Sequence, residues 1–179
     1  NLAIFGALLL TGTLYETGLF KDVLLAFISF SFATSATYIL NDILDAKSDR
    51  LHPVKKFRPI ASGKLPVIVA TVELLSFIFL SLTVAASLNQ LFLSIILAYL
   101  GIQALYSLGL KNIPVVDILI IASGFVLRVY AGAFVINAHL SVWFLLCVVS
   151  ASLFLAAGKR RSEMNLLEAV DGGTRKSLT

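Results

Sequence analysis

Asn41-Asp42-Ile-Leu-Asp45-Ala-Lys47-Ser-Asp49-Arg50 directly continues an apolar stretch, and it holds the densest set of acids in the chain. If the stretch is helical and runs on through these residues, Asp42, Asp45 and Asp49 fall at i, i+3 and i+7. That spacing puts three carboxylates on one face within about 10 Å. Clustered acids repel one another unless a cation sits between them. Mg²⁺ suits the place, since it takes hard oxygen ligands, keeps some waters and shares its shell with substrate phosphates. The competing reading is a solvated face on which the acids pair with Lys47, Arg50 and Lys55. Two features favour the metal: Asn41 adds a further oxygen at the end of the apolar stretch, and a dense cationic segment follows.

That segment is His52-Pro53-Val-Lys55-Lys56-Phe-Arg58-Pro59-Ile-Ala-Ser62-Gly63-Lys64. Two prolines and a glycine argue against a continuous helix, so its cations belong to an ordered loop that folds over a ligand. Arg and Lys beside a carboxylate-bound metal suit a polyphosphate, Arg through bidentate contacts and Lys as a point charge. A basic loop resting on anionic lipid headgroups is the other use of such charge, but a lipid patch has no use for three adjacent carboxylates. His52, followed by proline, is suited equally to shaping a turn and to donating a proton.

The elements that position these residues follow from composition. Of 179 residues, 59% are hydrophobic and 13% charged, 24 side chains in all, and the mean hydropathy is +0.96. A soluble domain has about 25% charged residues, so the chain reads as an integral membrane protein with no room for a soluble catalytic domain. Apolar runs at 2–15, 22–41, 65–88, 91–108, 115–137 and 141–158 predict an all-α polytopic transmembrane bundle with six spans, the first of them short. The sequence opens mid-pattern and its lone Met is Met164, so it is read as one transmembrane domain over 1–179, trimmed at the N-terminus and lacking C-terminal helices. The single Cys147 cannot form an intrachain disulfide. With six spans, the 42–64 and 109–114 loops and the tail share one side, which holds 12 of the 14 Lys and Arg residues. That is a positive-inside signal for a multi-pass inner (plasma) membrane protein with its charged mouth facing the cytoplasm, and it accounts for the net charge of +4 without nucleic acid.

Glu73, Asp117 and Arg128 lie inside apolar runs. A charge at membrane depth is costly, so each is a functional candidate. Asp117 is close enough to Pro114 to reach the boundary, whereas Arg128 is 11 residues further on, about 16 Å deeper on a helix. Arg128 is suited either to bridging to Glu73 or to drawing an anionic headgroup into a cavity. Tyr106 is either a cavity hydroxyl or an interfacial anchor.

The pattern N-D-x-x-D-x-x-x-D at 41–49, followed by R-P-I-A-S-G at 58–63, resembles the first aspartate-rich motif and loop of the UbiA-type intramembrane prenyltransferase superfamily. The fuller D-R-x-H-P-x-K-x-x-R-P-I-A-S-G looks most like the decaprenyl-phosphate phosphoribosyltransferase subgroup. Tyr106-Ser-Leu-Gly-Leu-Lys111, Pro114-Val-Val-Asp117 through Ser123-Gly124-Phe-Val-Leu-Arg128, and Gly158-Lys159-Arg160-Arg161-Ser-Glu163 match the same subgroup. Members usually have about nine spans, so this chain is similar to their first two thirds. The resemblance implies that Asn41, Asp42, Asp45 and Asp49 hold Mg²⁺ and diphosphate, and that Lys55, Arg58 and Lys111 contact phosphate. Lys47, Arg50, His52, Tyr106, Asp117, Arg128, Lys159, Arg160 and Glu163 complete the candidate substrate-binding set. Many relatives carry a second D-x-x-x-D after the sixth helix, whereas here Lys159, Arg160 and Glu163 reproduce the subgroup's K-R-x-x-E, with Arg161 where Tyr is expected.

The residues alone support an intramembrane transferase that binds Mg²⁺-chelated diphosphate at its mouth and an isoprenoid chain in its interior. The resemblance implies 5-phosphoribosyl 1-diphosphate as donor and decaprenyl, or another polyprenyl, phosphate as acceptor, in the supply of arabinan precursors for cell wall biosynthesis. The runner-up is transfer of an isoprenoid from its diphosphate to an aromatic or haem acceptor. A transporter or channel would place its charges at the midplane, and this sequence concentrates them at one mouth. Assembly as a homo-oligomer is left open.

Overall fold

The computed structural model describes the backbone of residues 1–13 and 15–176, and side chains as far as Ser162 except those of Leu14, Asn112 and Pro114. No strand occurs among the described residues. A 3-10 turn at Leu2–Phe5 leads into α1 (Gly6–Leu10), followed by α2 (Thr17–Asp49), α3 (Val67–Leu88), α4 (Gln90–Leu108), α5 (Pro114–Val135) and α6 (Val142–Lys176). Five of these, α2 to α6, contain stretches long and apolar enough to cross a membrane.

The expected first span is different. The 2–15 run is helical only from Leu2 to Leu10, about 14 Å, or half of a hydrocarbon core. Its helix ends where Thr11 Oγ1 donates back to the Ala7 carbonyl (2.9 Å) and Gly12 takes a left-handed φ of 71°. Among the described residues, five helices are long and apolar enough to span, against the six apolar runs of the sequence.

α2 has 33 residues, about 50 Å, so it outruns the bilayer and carries its acidic end beyond the apolar layer. Ala26, Ser29, Ala33 and Ala36 form a buried small-residue seam on α2. Small side chains let helices approach closely where lipid removes any hydrophobic drive to associate. On the facing helix, Ser29 Oγ donates to the Ser81 carbonyl (2.8 Å), and Phe32 stacks on Phe77 with centroids 5.7 Å apart. α4 starts at a cap in which Asn89 Oδ1 accepts from the Phe92 N–H (2.7 Å), while Asn89 Nδ2 donates to the Phe134 carbonyl at the end of α5 (3.1 Å). Pro114 opens α5, where a missing N–H breaks no helical bond. Large apolar side chains such as Ile68, Phe79, Trp143 and Phe154 are exposed on α3 and α6, as suits helices bathed in lipid.

The 2–10 segment packs against α5 at Gly132, where a Cβ would come within 1.9 Å of the Ile4 carbonyl oxygen. Gly132→Ala is expected to lower stability by about 1–3 kcal/mol through forced displacement of packed backbone. Gly101→Ala, in open space on α4, is the control and should leave the Tm in detergent unchanged or slightly raised. Equal melting of both variants would refute the close approach.

Candidate active site

The acidic face of α2 forms as its periodicity requires, and two segments from elsewhere in the chain reach it. Residues 50–66 fold back on α2 with Ile60 and Ala61 buried, and Ile60 packs in a cluster with Ala46 and Ala70. Arg58 precedes Pro59 and is extended, with ψ of 143°, as a residue before proline prefers. Gly63 turns the chain with a left-handed φ of 79°, its N–H donating to the Ile60 carbonyl (3.2 Å). The fold of Arg-Pro-Ile-Ala-Ser-Gly thus anchors two apolar residues and leaves Arg58 directed at α2. Arg58 Nη1 donates to both Asp42 Oδ1 (2.9 Å) and Asp49 Oδ2 (2.8 Å). From the short loop between α4 and α5, Lys111 Nζ pairs with Asp45 Oδ1 and donates to Asn41 Oδ1 (3.2 Å).

These groups stand at one end of a cavity of about 960 Å³ bounded by α2, α4, α5, α6 and the 50–66 loop. Lys55 and Lys159 also line it. Tyr106 and Arg160 line it from α4 and α6, and both bond Asp117: Tyr106 Oη donates to Oδ1 at 2.8 Å and Arg160 Nε pairs with Oδ2. Asp117 is fully buried and does not itself line the cavity. It ties α4, α5 and α6 together at the level of the mouth.

Several expected site residues are not brought to the cavity. Lys47 is two residues from Asp45, hence near the opposite side of α2, and is exposed. Arg50 Nε donates instead to the Ala61 carbonyl (3.1 Å), holding the loop. His52 Nδ1 accepts from the N–H groups of Val54 and Lys55, both at 3.2 Å, which gives it the turn-shaping role. The acids do not pair with Lys47, Arg50 or Lys55; their partners are Arg58 and Lys111. Glu73 is exposed on α3 and does not bridge to Arg128. The side chain of Glu163 lies outside the described residues.

The cavity also has a deeper polar lining that the motif reading passed over: Thr34, Thr37 and Tyr38 on α2, and Tyr99 and Gln103 on α4. The signal was in the sequence. Thr34, Thr37, Tyr38, Asn41, Asp42 and Asp45 recur at helical spacing, so the acidic face continues as a polar stripe into the apolar run. Tyr99, Gln103 and Tyr106 do the same on α4.

Among the described residues, no three His, Cys, Asp or Glu side chains converge closely enough to hold a metal ion. The donor set still has the chemistry Mg²⁺ needs: carboxylate and amide oxygens along one face, lining a cavity, with no sulfur or imidazole among them. Each of its carboxylates is held by a cation that can itself bind phosphate oxygens.

Fold and site together define a polytopic helical membrane protein with a cavity lined by charged and polar side chains at one end of its bundle. The chain belongs to the UbiA prenyltransferase family, whose model matches residues 2–161. It is 43% identical over 159 residues to a decaprenyl-phosphate phosphoribosyltransferase of Corynebacterium glutamicum, covering 88% of this chain and 48% of that protein. To the enzyme of the same name from Mycobacterium tuberculosis it is 40% identical over 158 residues, covering 88% and 52%. A UbiA homolog from Archaeoglobus fulgidus, solved bound to GPP and Mg²⁺, superposes with a TM-score of 0.66 at 30% identity, over 76% of this chain and 48% of that one. The same homolog bound to DMAPP and Mg²⁺ gives 0.66 at 29% identity, over 76% and 49%. The chain thus spans about half the length of these relatives.

Proposed function

We propose that the protein is a Mg²⁺-dependent intramembrane transferase that moves phosphoribose from 5-phosphoribosyl 1-diphosphate to decaprenyl or a related polyprenyl phosphate, releasing diphosphate. The observation that carries this reading is the mouth of the cavity, where Asp42, Asp45 and Asp49 face the cations Arg58 and Lys111 above an interior sheathed by apolar helices. The likeness to the two phosphoribosyltransferases supports the choice of substrates. In the reaction, an oxygen of the lipid phosphate attacks the anomeric carbon, the carbon–oxygen bond to diphosphate breaks, and diphosphate leaves. The nucleophile is already anionic near neutral pH, so no general base is required.

Asp42, Asp45, Asp49 and Asn41 would hold the metal. When bound there, Mg²⁺ supplies charge neutralisation to the diphosphate. Arg58 and Lys111 exchange their carboxylate partners for phosphate oxygens, stabilising the charge that builds on the leaving group. Lys55, Lys159 and Arg160 extend the positive rim. Tyr106 and Asp117 hold Arg160, and with it α6, in register. By this reading the protein sits in the plasma membrane with the mouth facing the cytoplasm, on the side that carries most of its Lys and Arg residues.

Isoprenoid transfer to an aromatic or haem acceptor draws support from the GPP and DMAPP complexes, but at 29–30% identity against 40–43% for the phosphoribosyltransferases. The test uses purified full-length protein with labelled phosphoribosyl diphosphate and polyprenyl phosphate, in Mg²⁺ or in EDTA. A lipid-linked product that requires Mg²⁺ is expected. Absence of product with these substrates, or product formed from a prenyl diphosphate instead, would overturn the reading.

A further inference from the structure

The hydrogen-bond acceptors that hold Arg128 in the cavity are all neutral. Its guanidinium donates to the Gly124 carbonyl (2.6 Å), the Asn1 side-chain oxygen (2.8 Å), Tyr99 Oη (3.3 Å) and, at the longest range, Thr34 Oγ1 (3.5 Å). The rings of Phe30 and Tyr99 lie with centroids 5.1 and 5.3 Å from its central carbon. Among the described residues no carboxylate comes within ion-pairing distance of it. These contacts fix the plane of the guanidinium, and none of them carries a negative charge. A cation at membrane depth that opens on a cavity and has no counter-ion among the described residues suits an anion that enters with a ligand.

Its distance from the mouth separates it from the aspartate cluster. Thr34, one of its partners, precedes Asp42 by eight residues on the same helix, about 12 Å along the axis. Arg58 and Lys111 at the mouth already have carboxylate partners, whereas Arg128 has none among the described residues. A guanidinium is planar and matches two phosphate oxygens at once. We propose that Arg128, with the hydroxyls of Thr34 and Tyr99, forms a second anion subsite that binds a phosphomonoester inside the cavity, apart from the diphosphate at the mouth. The inference rests on the transfer reaction proposed above, which offers two such groups: the 5-phosphate of the donor and the phosphate of the lipid acceptor.

Wild type and Arg128→Gln, as full-length protein in detergent, would be compared by steady-state kinetics and by thermal shift. In the kinetic arms, one KM is expected to rise about tenfold or more while the other is unchanged, and the substrate affected names the source of the phosphate. Arg128→Lys should recover part of the loss, because it keeps the charge without the bidentate fork. The binding arms need no turnover. They compare phosphoribosyl diphosphate with inorganic pyrophosphate, and polyprenyl phosphate with the corresponding polyprenol, each in Mg²⁺. Wild type should be stabilised more by the phosphomonoester-bearing member of one pair, and Arg128→Gln should lose that difference. A wild type that does not discriminate within either pair overturns the subsite even if the variant fails to fold. Unchanged values of both KM in Arg128→Gln, with only a lower Tm, likewise reduce Arg128 to a structural staple. Wild type that discriminates by phosphate yet forms no product would refute the proposed reaction and leave the subsite standing.

Discussion

Asp45→Ala is expected to lower kcat/KM for transfer by at least about 100-fold, the scale reached when a metal or its electrostatic support is lost from a site that works by charge stabilisation. Asp45 is the middle acid of the α2 face, and its partner Lys111 arrives from a loop 66 residues away. If the pair serves only to fasten that loop, Asp45→Ala and Lys111→Ala should act alike, lowering the Tm with equal effects on activity. A ligand role separates them. Asp45→Ala should raise the Mg²⁺ concentration needed for half-maximal rate, whereas Lys111→Ala should keep the wild-type Mg²⁺ dependence and raise KM for the diphosphate donor. Full activity in Asp45→Ala would sink the metal-site assignment outright.

The second large effect is expected at Arg58, whose one nitrogen reaches two carboxylates. Arg58→Ala leaves Asp49 almost wholly buried without its cation, since the Asp49 side chain is only 5% exposed. Losing one member of a buried pair costs about 3–5 kcal/mol. Arg58 is itself 35% exposed, so water compensates in part and a loss nearer 1–2 kcal/mol is expected. The same change frees the 50–66 loop from α2 and removes a phosphate contact, so kcat/KM should fall about 100-fold, mainly through the donor KM. Arg58→Lys should restore stability better than activity, because an ammonium supplies charge but not a planar fork. Limited proteolysis offers an independent reading: cleavage within 50–66 should accelerate in Arg58→Ala and be suppressed by Mg²⁺ with inorganic pyrophosphate in wild type. Equal cleavage rates in the two proteins would show that Arg58 does not hold the loop.

Much of the site could be read along the chain because its parts are local. Asp42, Asp45 and Asp49 share a face by helical periodicity alone, and the proline and glycine between Arg58 and Lys64 forbid a helix there whatever surrounds them. Helix boundaries were legible for the same reason, with α3 and α4 beginning and ending within two residues of the apolar runs. The 2–15 run was not, since apolar composition cannot tell a spanning helix from nine helical residues that stop at Thr11 and Gly12. The deeper lining of Thr34, Thr37 and Tyr99 was also missed. Uncharged polar residues at helical spacing give a weak signal until one knows which way the helix faces.

The sequence by itself determined that this is a helical membrane protein with a carboxylate face at one helix end and a cationic loop beside it, because composition and periodicity act within a few turns of chain. Only the tertiary structure decided which cation meets which acid. Arg58 and not Arg50 reaches Asp42 and Asp49, Lys111 and not Lys47 reaches Asp45, Arg160 meets Asp117, and Arg128 faces the cavity without Glu73. Those pairings depend on how the helices are rotated and how closely they approach, which is set by contacts such as Ser29 on Ser81 and Gly132 on Ile4. In lipid, small-residue packing fixes the geometry first, and the charges then pair with whatever it brings within reach.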